Sequence, residues 1–576
     1  MISPSLAVML FQSILRNLRP EMLRKRGDYL QEGRGDFTAD PHQVSLEWDM
    51  RGLRPIEFAL RDWTAKRFPG EWSRLPVLGR IAPDIELGEI QEHITIDRGG
   101  DFLYFWGRIP TDVLANNFAS LADQPAERYY LDLGTPLRTE GSGSQYDAAC
   151  HQLLQRTPQN PSSAKCGVAI IDLGESSLHG PDDYGGRLRH AVTSGIKLSD
   201  HAEKVLSILL GRAYALLPVT TVSCALIRPP VSTPTVGNGC FDQASSVELC
   251  AAVLALEREL DKDNLPAAIN ISLGTHVGPH NGDSPLEEYI AAKLCRPHER
   301  FVVVAAGNDG GSGLAAKREL SAGAKDYLKV QTGSRCQDLL VEFWWYEPVV
   351  STFELQVDVF GPLAGGGRAH LGATRIRSGK SLNLLSAARM GLPSRYIAQA
   401  LFHSKCRNDL SSIAFSISDS SGSMPVLEIE FSMESTVDVT VNAWIVICEP
   451  QPQTTFIQGG AAGTVRVPAS DPHVVSVAGN DSTGQIWVNS SRGPAAEYGS
   501  GSNESAPLMS HLAWLGTEVG TSFSSPRACG DMLQTIANSS KLSKCQDAID
   551  LVCETYGLTR TGLPWDRRSG YHKMKA

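Results

Sequence analysis

The sequence lacks several features that mark common classes of protein. No apolar run reaches the roughly 18 residues that a transmembrane helix needs, so no membrane-spanning segment is predicted. There is no Gly-x-x-x-x-Gly-Lys-Ser/Thr phosphate loop and no His-Glu-x-x-His zinc motif. The twelve cysteines include no Cys-x-x-Cys pair, which argues against a zinc site and predicts buried free thiols. No cofactor is expected, and whether a structural calcium ion is bound stays open.

Charge is also sparse and evenly spread. The net charge of −10 comes from 63 acidic and 53 basic residues, with no basic stripe, so neither nucleic acid nor a membrane is expected as a partner. The apolar stretch from Ser5 to Phe11 has no preceding Lys or Arg and predicts an amphipathic helix rather than a signal peptide. A cytoplasmic protein is therefore expected, with an organelle presequence at Arg16 to Arg26 as the alternative.

The first part of the chain divides at about residue 80. Residues 1–80 mix short helical patterns with Pro, Gly and Arg clusters and indicate no known module. Residues 81–140 predict a small α/β module: a strand at Phe102 to Trp106, a helix starting at Thr111, and a strand at Tyr129 to Leu133. This N-terminal α/β extension has the layout of a propeptide, although a plain packing module fits equally well.

Residues 141–324 alternate between buried strands and helices. The strands are predicted at Val168 to Ile171, Ala267 to Ile271 and Phe301 to Ala305, and a helix at Ser246 to Leu260. Such alternation is typical of a parallel sheet with helices on both faces. The fold class is therefore α/β.

Residues 325–450 change to a period of two, as in Phe353 to Val359 and Leu427 to Phe431, which predicts antiparallel strands. The earlier pattern resumes at Val474 to Ala478. We therefore interpret 325–450 as an inserted antiparallel β-sandwich, 451–560 as the second part of the α/β domain, and 561–576 as a C-terminal tail.

Four short segments carry groups suited to acyl transfer. Gly520 to Pro526 reads Gly-Thr-Ser-Phe-Ser-Ser-Pro and places Ser522 at a helix start, where amide groups favour developing negative charge. Asp172 ends a buried strand, His201 begins an amphipathic helix, and Asn308 follows another strand. A serine becomes nucleophilic when a histidine removes its proton, and a carboxylate fixes the tautomer of that histidine.

Together these segments resemble the subtilase family, peptidase family S8, over residues 165–310 and 470–535. The resemblance implies a subtilisin-like sheet and a serine endopeptidase in which Ser522 attacks, His201 is the base, Asp172 orients it, and Asn308 donates to the oxyanion. It also implies a polypeptide substrate. The implied substrate-binding residues form a strand that pairs with the substrate and a wall of the pocket for the residue before the cut: Ser272, Leu273, Gly274, Ala305, Ala306 and Gly307.

The sequence departs from the family around these groups. Leu173 replaces a hydroxyl residue, Ala202, Glu203 and Lys204 follow the histidine, and Leu508 replaces a glycine. Glu203 and Lys204 are interpreted as a solvated helix face. A scaffold or regulatory binding protein with little activity is the alternative function. The activity is expected to be regulated, either by residues 85–135 occupying the substrate groove or by a partner protein such as an ATPase.

Overall fold

The computed structural model describes a large part of the chain. The described residues are 3, 5–10, 46–49, 74–122, 127–134, 137–139, 166–176, 188–190, 196–214, 219–227, 244–263, 266–295, 300–334, 336, 338–347, 353–363, 366–377, 381–384, 392–393, 396–407, 409–419, 424–448, 454–480, 485–493, 496, 498, 508–512, 520–537 and 572–573. They belong to two compact units. One comprises residues 1–134, 232–241 and 313–460, and the other residues 135–231, 242–312 and 461–576.

The strands of the first half of the chain are β1 (Leu46–Asp49), β2 (Arg74–Ile81), β3 (Ile94–Gly99), β4 (Phe102–Pro110), β5 (Tyr129–Leu133), β6 (Arg138–Thr139), β7 (Cys166–Ser176), β8 (Leu188–His190), β9 (Ile196–Leu198), β10 (Val219–Ile227), β11 (Ala267–Ile271), β12 (Leu273–Gly274) and β13 (Arg300–Ala305). Those of the second half are β14 (Ala315–Leu320), β15 (Lys325–Gln331), β16 (Asp338–Tyr346), β17 (Phe353–Pro362), β18 (Arg368–Arg377), β19 (Ser381–Leu384), β20 (Tyr396–Arg407), β21 (Leu410–Asp419), β22 (Glu428–Ser435), β23 (Val439–Cys448), β24 (Thr455–Phe456), β25 (Val475–Asn480), β26 (Leu508–Leu512) and β27 (His572–Lys573).

A mainly parallel sheet organises the unit that contains residues 135–231, 242–312 and 461–576. Its described strands run in the order β27-β26-β25-β13-β11-β7-β10-β8, with β9 antiparallel to β7. The central strands β11 and β13 are buried along their whole length. Their continuous apolar sequences reflect this burial, because a parallel strand is covered on both faces.

Three long helices pack on this sheet or on one another. They are the His201 helix (Asp200–Tyr214), a helix at Ser246–Asp263 and the Ser522 helix (Thr521–Ala537). The Ser522 helix packs against β11, β13 and β25 and against the His201 helix. A shorter helix (Pro285–Ile290) continues into a π-helical turn (Ala291–Cys295).

Antiparallel sheets make up the other unit. Strands β3-β4-β2-β5 form a four-stranded sheet that is joined by the helix Thr111–Ala122 and a 3₁₀ turn (Gly88–His93). Strands β14-β23-β16-β21-β20 and β18-β17-β22-β15-β24 form two five-stranded sheets, and β1 pairs with β19.

The two five-stranded sheets share one apolar core. In β17 and β22 buried residues alternate with half-buried ones, so each strand gives one face to this core. Trp345 is fully buried in this core, with its ring 4.2 Å from that of Phe353 and 5.7 Å from that of Phe402. The apolar face of each sheet is thereby removed from water, which is the main stabilising term of such a layer.

The helix at residues 5–10 is buried on every side. The Ser3 hydroxyl donates to the carboxylate of Asp132 on β5 at 2.5 Å, and the Ser5 hydroxyl hydrogen bonds to that of Glu342 on β16. The helix expected here is therefore present, but its described turns have no solvated face, so they are not amphipathic.

The fold agrees with the sequence at the level of class. The protein is mixed α/β, with one mainly parallel sheet and several antiparallel sheets. The antiparallel strands predicted within 325–450 are confirmed, and the run extends outward from β14 to β24. The predicted domain boundaries stay predictions, and the predicted presequence region and the tail lie largely outside the described residues.

Two further expectations can be compared with the structure. The five cysteines whose side chains are described as free thiols are all buried: Cys224, Cys250, Cys295, Cys336 and Cys529. Burial raises the pKa of the Cys250 and Cys529 thiols. No described helix has the length and apolar character that crossing a bilayer requires.

Candidate active site

Asp172 and His201 come together at the end of β7. The Nδ1 atom of His201 lies 2.9 Å from Oδ1 and 3.1 Å from Oδ2 of Asp172, whose side chain is fully buried. Oδ1 also accepts the backbone N–H of Leu173 at 2.7 Å. The carboxylate is therefore fixed by its own strand, and the proton on the His201 ring is directed to Nδ1.

Ser199 holds the start of the His201 helix against β7. Its hydroxyl donates to the carbonyl of Leu173 at 2.9 Å and accepts the backbone N–H of Ala202 at 3.1 Å, the contact of a helix N-cap. One side chain thus links the residue after Asp172 to the first turn that bears His201. Sequence reasoning missed Ser199, although a serine just before the helix is a recognisable capping signal.

Ser522 lies in the first turn of its helix and is fully buried. Its hydroxyl donates to the carbonyl of Ser272 at 3.4 Å, and the Ser272 hydroxyl donates back to the carbonyl of Ser522 at 3.2 Å. The next residue, Phe523, has its ring 5.7 Å from that of His201. The turn that carries Ser522 therefore lies beside both the His201 ring and the segment that follows β11.

The side-chain amide of Asn308 is oriented by Thr521. Oδ1 of Asn308 accepts the backbone N–H of Thr521 at 3.0 Å and its hydroxyl at 3.1 Å, while Thr521 Oγ1 accepts the N–H of Gly307 at 3.2 Å. With the oxygen held by two donors, Nδ2 is the group left to donate elsewhere. Thr521 was also missed from the sequence, because its role depends on a loop distant in the chain.

The expected substrate strand already has a neighbour. β6 (Arg138–Thr139) pairs antiparallel with β12, Thr139 opposite Leu273 and Arg138 opposite Gly274. The N–H of Leu137 is fixed separately, through a 2.8 Å bond to the carbonyl of Ala244. An extended segment of the chain therefore lies on β12, beyond the 85–135 range expected from the sequence.

Residues Ala305 to Gly307, which are expected from the sequence to form a wall of the substrate pocket, adjoin a buried cluster of charged side chains. Arg466 hydrogen bonds to Asp309, and Nε2 of His276 lies 2.8 Å from the same carboxylate oxygen. Burial alone would raise the pKa of Asp309, but the Arg466 charge and these hydrogen bonds outweigh it and hold that pKa well below its usual range. The His276 ring lies 5.4 Å from that of His280.

Lys204 is only 3% exposed, so its interpretation as part of a solvated helix face is wrong. The preceding Glu203 is half-buried. Ala202, Val205 and Leu206 around it are also buried, so Lys204 lies on a buried part of the helix start. No group of three or more His, Cys, Asp or Glu side chains within the described residues is placed to hold a metal ion.

No family model matches the chain, and no curated protein matches it. The solved structures that share a distant likeness include two proteases. The CspB protease of Clostridium perfringens is 17% identical, with 67% of this chain and 85% of that one covered and a TM-score of 0.49. The prenylagaramide maturation protease PagA is 14% identical, with 73% and 91% covered and a TM-score of 0.30.

The assignment to the subtilase family made from the short motifs is therefore corrected. It does not stand, because no family model matches and both structural likenesses are too weak to carry it. Serine, histidine and carboxylate groups in the same arrangement occur on unrelated folds, because the same chemistry requires them. Short motifs around these groups therefore do not establish common descent. What remains is the geometry of the groups themselves.

Proposed function

We propose that this protein is a serine endopeptidase that cleaves polypeptides through an acyl-enzyme intermediate. The observation that carries the proposal is the buried Asp172 carboxylate, which contacts Nδ1 of His201 at 2.9 and 3.1 Å. A buried carboxylate so placed keeps the proton on Nδ1 and leaves Nε2 as the basic atom. The contact between the His201 and Phe523 rings, 5.7 Å apart, puts this base beside the Ser522 turn.

The proposed reaction uses Ser522 as the nucleophile. Rotation of its hydroxyl away from the carbonyl of Ser272, a contact of 3.4 Å, brings it toward His201, and such bonds often tighten only when substrate binds. As Ser522 attacks the peptide carbonyl, His201 takes its proton and then gives it to the departing amine. Water hydrolyses the resulting ester by the same route in reverse.

The tetrahedral intermediate needs donors for its negative oxygen. We assign this role to Nδ2 of Asn308 and the backbone N–H of Ser522, because the bonds from Thr521 at 3.0 and 3.1 Å fix the Asn308 amide with its oxygen turned away. A preorganised donor stabilises the developing charge without further reorganisation.

The pairing of β6 with β12 supports a polypeptide substrate. Leu273 and Gly274 accept an extended backbone as an added antiparallel strand, which is a common way of binding peptides. The same pairing suggests regulation, since Arg138–Thr139 competes with a substrate for β12. A partner protein that draws this segment off would raise activity.

Labelling with an alkyl fluorophosphonate tests the proposal. We expect an adduct on Ser522, located by mass spectrometry, and its loss in Ser522→Ala. Ser524→Ala is the matched control, because it removes the same hydroxyl two residues along the same helix, where Ser524 is also fully buried. Retained labelling in Ser522→Ala, or loss in both variants while both stay folded, would count against Ser522 as the nucleophile.

A scaffold or binding role is the second candidate. It is favoured by the complete burial of Ser522 and by the engagement of its hydroxyl with Ser272. In that case no adduct forms on folded protein at any pH between about 6 and 9, the range in which an enzyme histidine becomes basic. Ser522→Ala would then keep whatever biological effect the parent protein has.

A further inference from the structure

Arg466 and Val467 close the space between two walls beside the Ser522 turn: residues 272–275, where Ser272 bonds to Ser522, and residues 305–307, where Gly307 bonds to Thr521. The N–H of Arg466 donates to the carbonyl of Ala306 at 3.0 Å. Val467 exchanges two backbone hydrogen bonds with Thr275, each 2.9 Å. The strand end at 305–307 and the strand end at 272–275 are thus bridged by the same two residues, which form a floor between them.

The side chain of Arg466 fills the space between residues 272–275 and residues 305–307. A Cβ built on Gly274 would lie 3.0 Å from Cβ and 3.2 Å from Cδ of Arg466. A Cβ built on Gly307 would lie 3.1 Å from Cγ and 3.3 Å from Cδ. The same methylene groups therefore pack against both glycines, and a side chain that entered between the two walls would meet them.

The guanidinium group is anchored, so the stem cannot swing aside easily. It hydrogen bonds to Asp309, and the side chains of Arg466 and Asp309 are only 5% and 8% exposed. His276 holds the same carboxylate from another direction, and the N–H of Asp309 donates to Ser491 at 3.1 Å. Breaking one partner from a buried ion pair leaves an uncompensated charge, which is strongly unfavourable.

We propose that the side chain of the residue before the cut enters between these two walls, which adjoin the proposed nucleophile and oxyanion donor, and that Arg466 fills this space so that only Gly, Ala or Ser is accepted there. This inference rests on the proposed peptidase function. Because Asp309 already neutralises the guanidinium, Arg466 offers no unpaired positive charge for an acidic side chain. Selection is therefore by volume and excludes aromatic, long aliphatic and charged residues.

The unmodified full-length protein provides the first test. It is treated with three diphenyl phosphonates that carry a single residue, Ala, Phe or Glu, next to phosphorus, and with an alkyl fluorophosphonate as the reference label. Single-residue probes do not need the length of β12 that Arg138–Thr139 covers. The Ala probe should label Ser522 at least about 100-fold faster than the Phe or Glu probe, the range that a rigid apolar pocket achieves for unfavourable volume.

Two double variants then separate volume from charge. One variant combines Asp309→Asn with Arg466→Ala, and the other combines Asp309→Asn with Arg466→Met. The shared Asp309→Asn change ensures that neither variant leaves a buried unpaired carboxylate. The Ala form opens the pocket and should gain at least about 10-fold in labelling by the Phe probe. The Met form keeps the stem volume without charge and should retain the preference for the Ala probe.

The outcomes separate this inference from the proposed function. If the fluorophosphonate does not label Ser522, the peptidase proposal itself fails. If it does, but the Phe or Glu probe reacts as fast as the Ala probe with the unmodified protein, Arg466 does not restrict the pocket and this inference is overturned. The inference would also be overturned if the Phe probe labelled the folded Arg466→Ala and Arg466→Met variants at the same rate. If either variant does not fold, the result with the unmodified protein decides the test.

Discussion

Replacement of Asp172 by Asn should abolish most of the activity while leaving the fold in place. In the parent protein Oδ1 accepts the Leu173 N–H at 2.7 Å, and both carboxylate oxygens contact Nδ1 of His201, Oδ1 at 2.9 Å and Oδ2 at 3.1 Å. The Asn carbonyl would keep the Leu173 bond, so its NH₂ group would take the place of Oδ2. It would then donate to Nδ1 and force the His201 proton onto Nε2, where it blocks removal of the serine proton.

The expected loss is large because the wrong tautomer cannot act as the base. The equivalent change in a serine-histidine-aspartate site lowers turnover about 10⁴-fold, which corresponds to roughly 5 kcal/mol of transition-state stabilisation. Asn is nearly isosteric with Asp, so the urea unfolding midpoint should change little. The assay is the rate of fluorophosphonate labelling of Ser522 and, once a substrate is known, kcat.

Asp200→Asn is the matched control. Asp200 immediately precedes His201 on the same helix but is exposed, so the same chemical change there should leave the labelling rate within a factor of about two, as expected of a surface charge. A folded Asp172→Asn protein that keeps more than about a tenth of the parent rate would refute the assignment of Asp172 as the group that orients His201.

Three further predictions follow from single contacts. Asn308→Ala should lower the labelling rate about 10²- to 10³-fold through loss of the oxyanion donor, and it should also lower the unfolding midpoint, because Thr521 loses two hydrogen bonds to Oδ1. Ser199→Ala loses hydrogen bonds to both Leu173 and Ala202, so it should reduce the free energy of unfolding in urea titrations by about 1–2 kcal/mol. Ser199→Asn should reduce it less, because Asn is also a good N-cap residue. Burial, and secondarily the Asp471 charge, raises the pKa of Glu287 from 4.5 to about 7. The folded state therefore binds a proton more tightly than the unfolded state does. The free energy of unfolding should accordingly fall by roughly 3 kcal/mol as pH rises from about 4.5 to 7. Glu287→Gln should remove that slope in unfolding titrations, and an unchanged slope would contradict it.

The strands were readable from the sequence where burial leaves a simple pattern. The run Ala267 to Ile271 coincides with β11, because a strand covered on both faces is apolar throughout and ends sharply. Phe353 to Val359 falls within β17, because a strand with one face in a core alternates. The helix predicted from Ser246 to Leu260 is confirmed and extends to Asp263.

The partners of the candidate site residues could not be read in the same way. Arg466 lies outside any strand, and an arginine in a connecting segment is normally solvated. Its burial depends on Asp309, which is 157 residues away in the chain. The pairing of β6 with β12 involves only two residues on each strand, too few for periodicity to indicate. Contacts of this kind are set by the tertiary fold.

The buried state of Ser522 and the pairing on β12 point to the same requirement. In the proposed reaction, a substrate replaces Arg138–Thr139 on β12 and places its carbonyl beside a hydroxyl that is directed at Ser272 in this structure. Both changes are local, because Asp172, Ser199 and Thr521 hold the other groups through contacts that do not involve that hydroxyl. The proposed base and oxyanion donor are thus preorganised, and the exchange of one strand is the step at which we propose that a regulator acts.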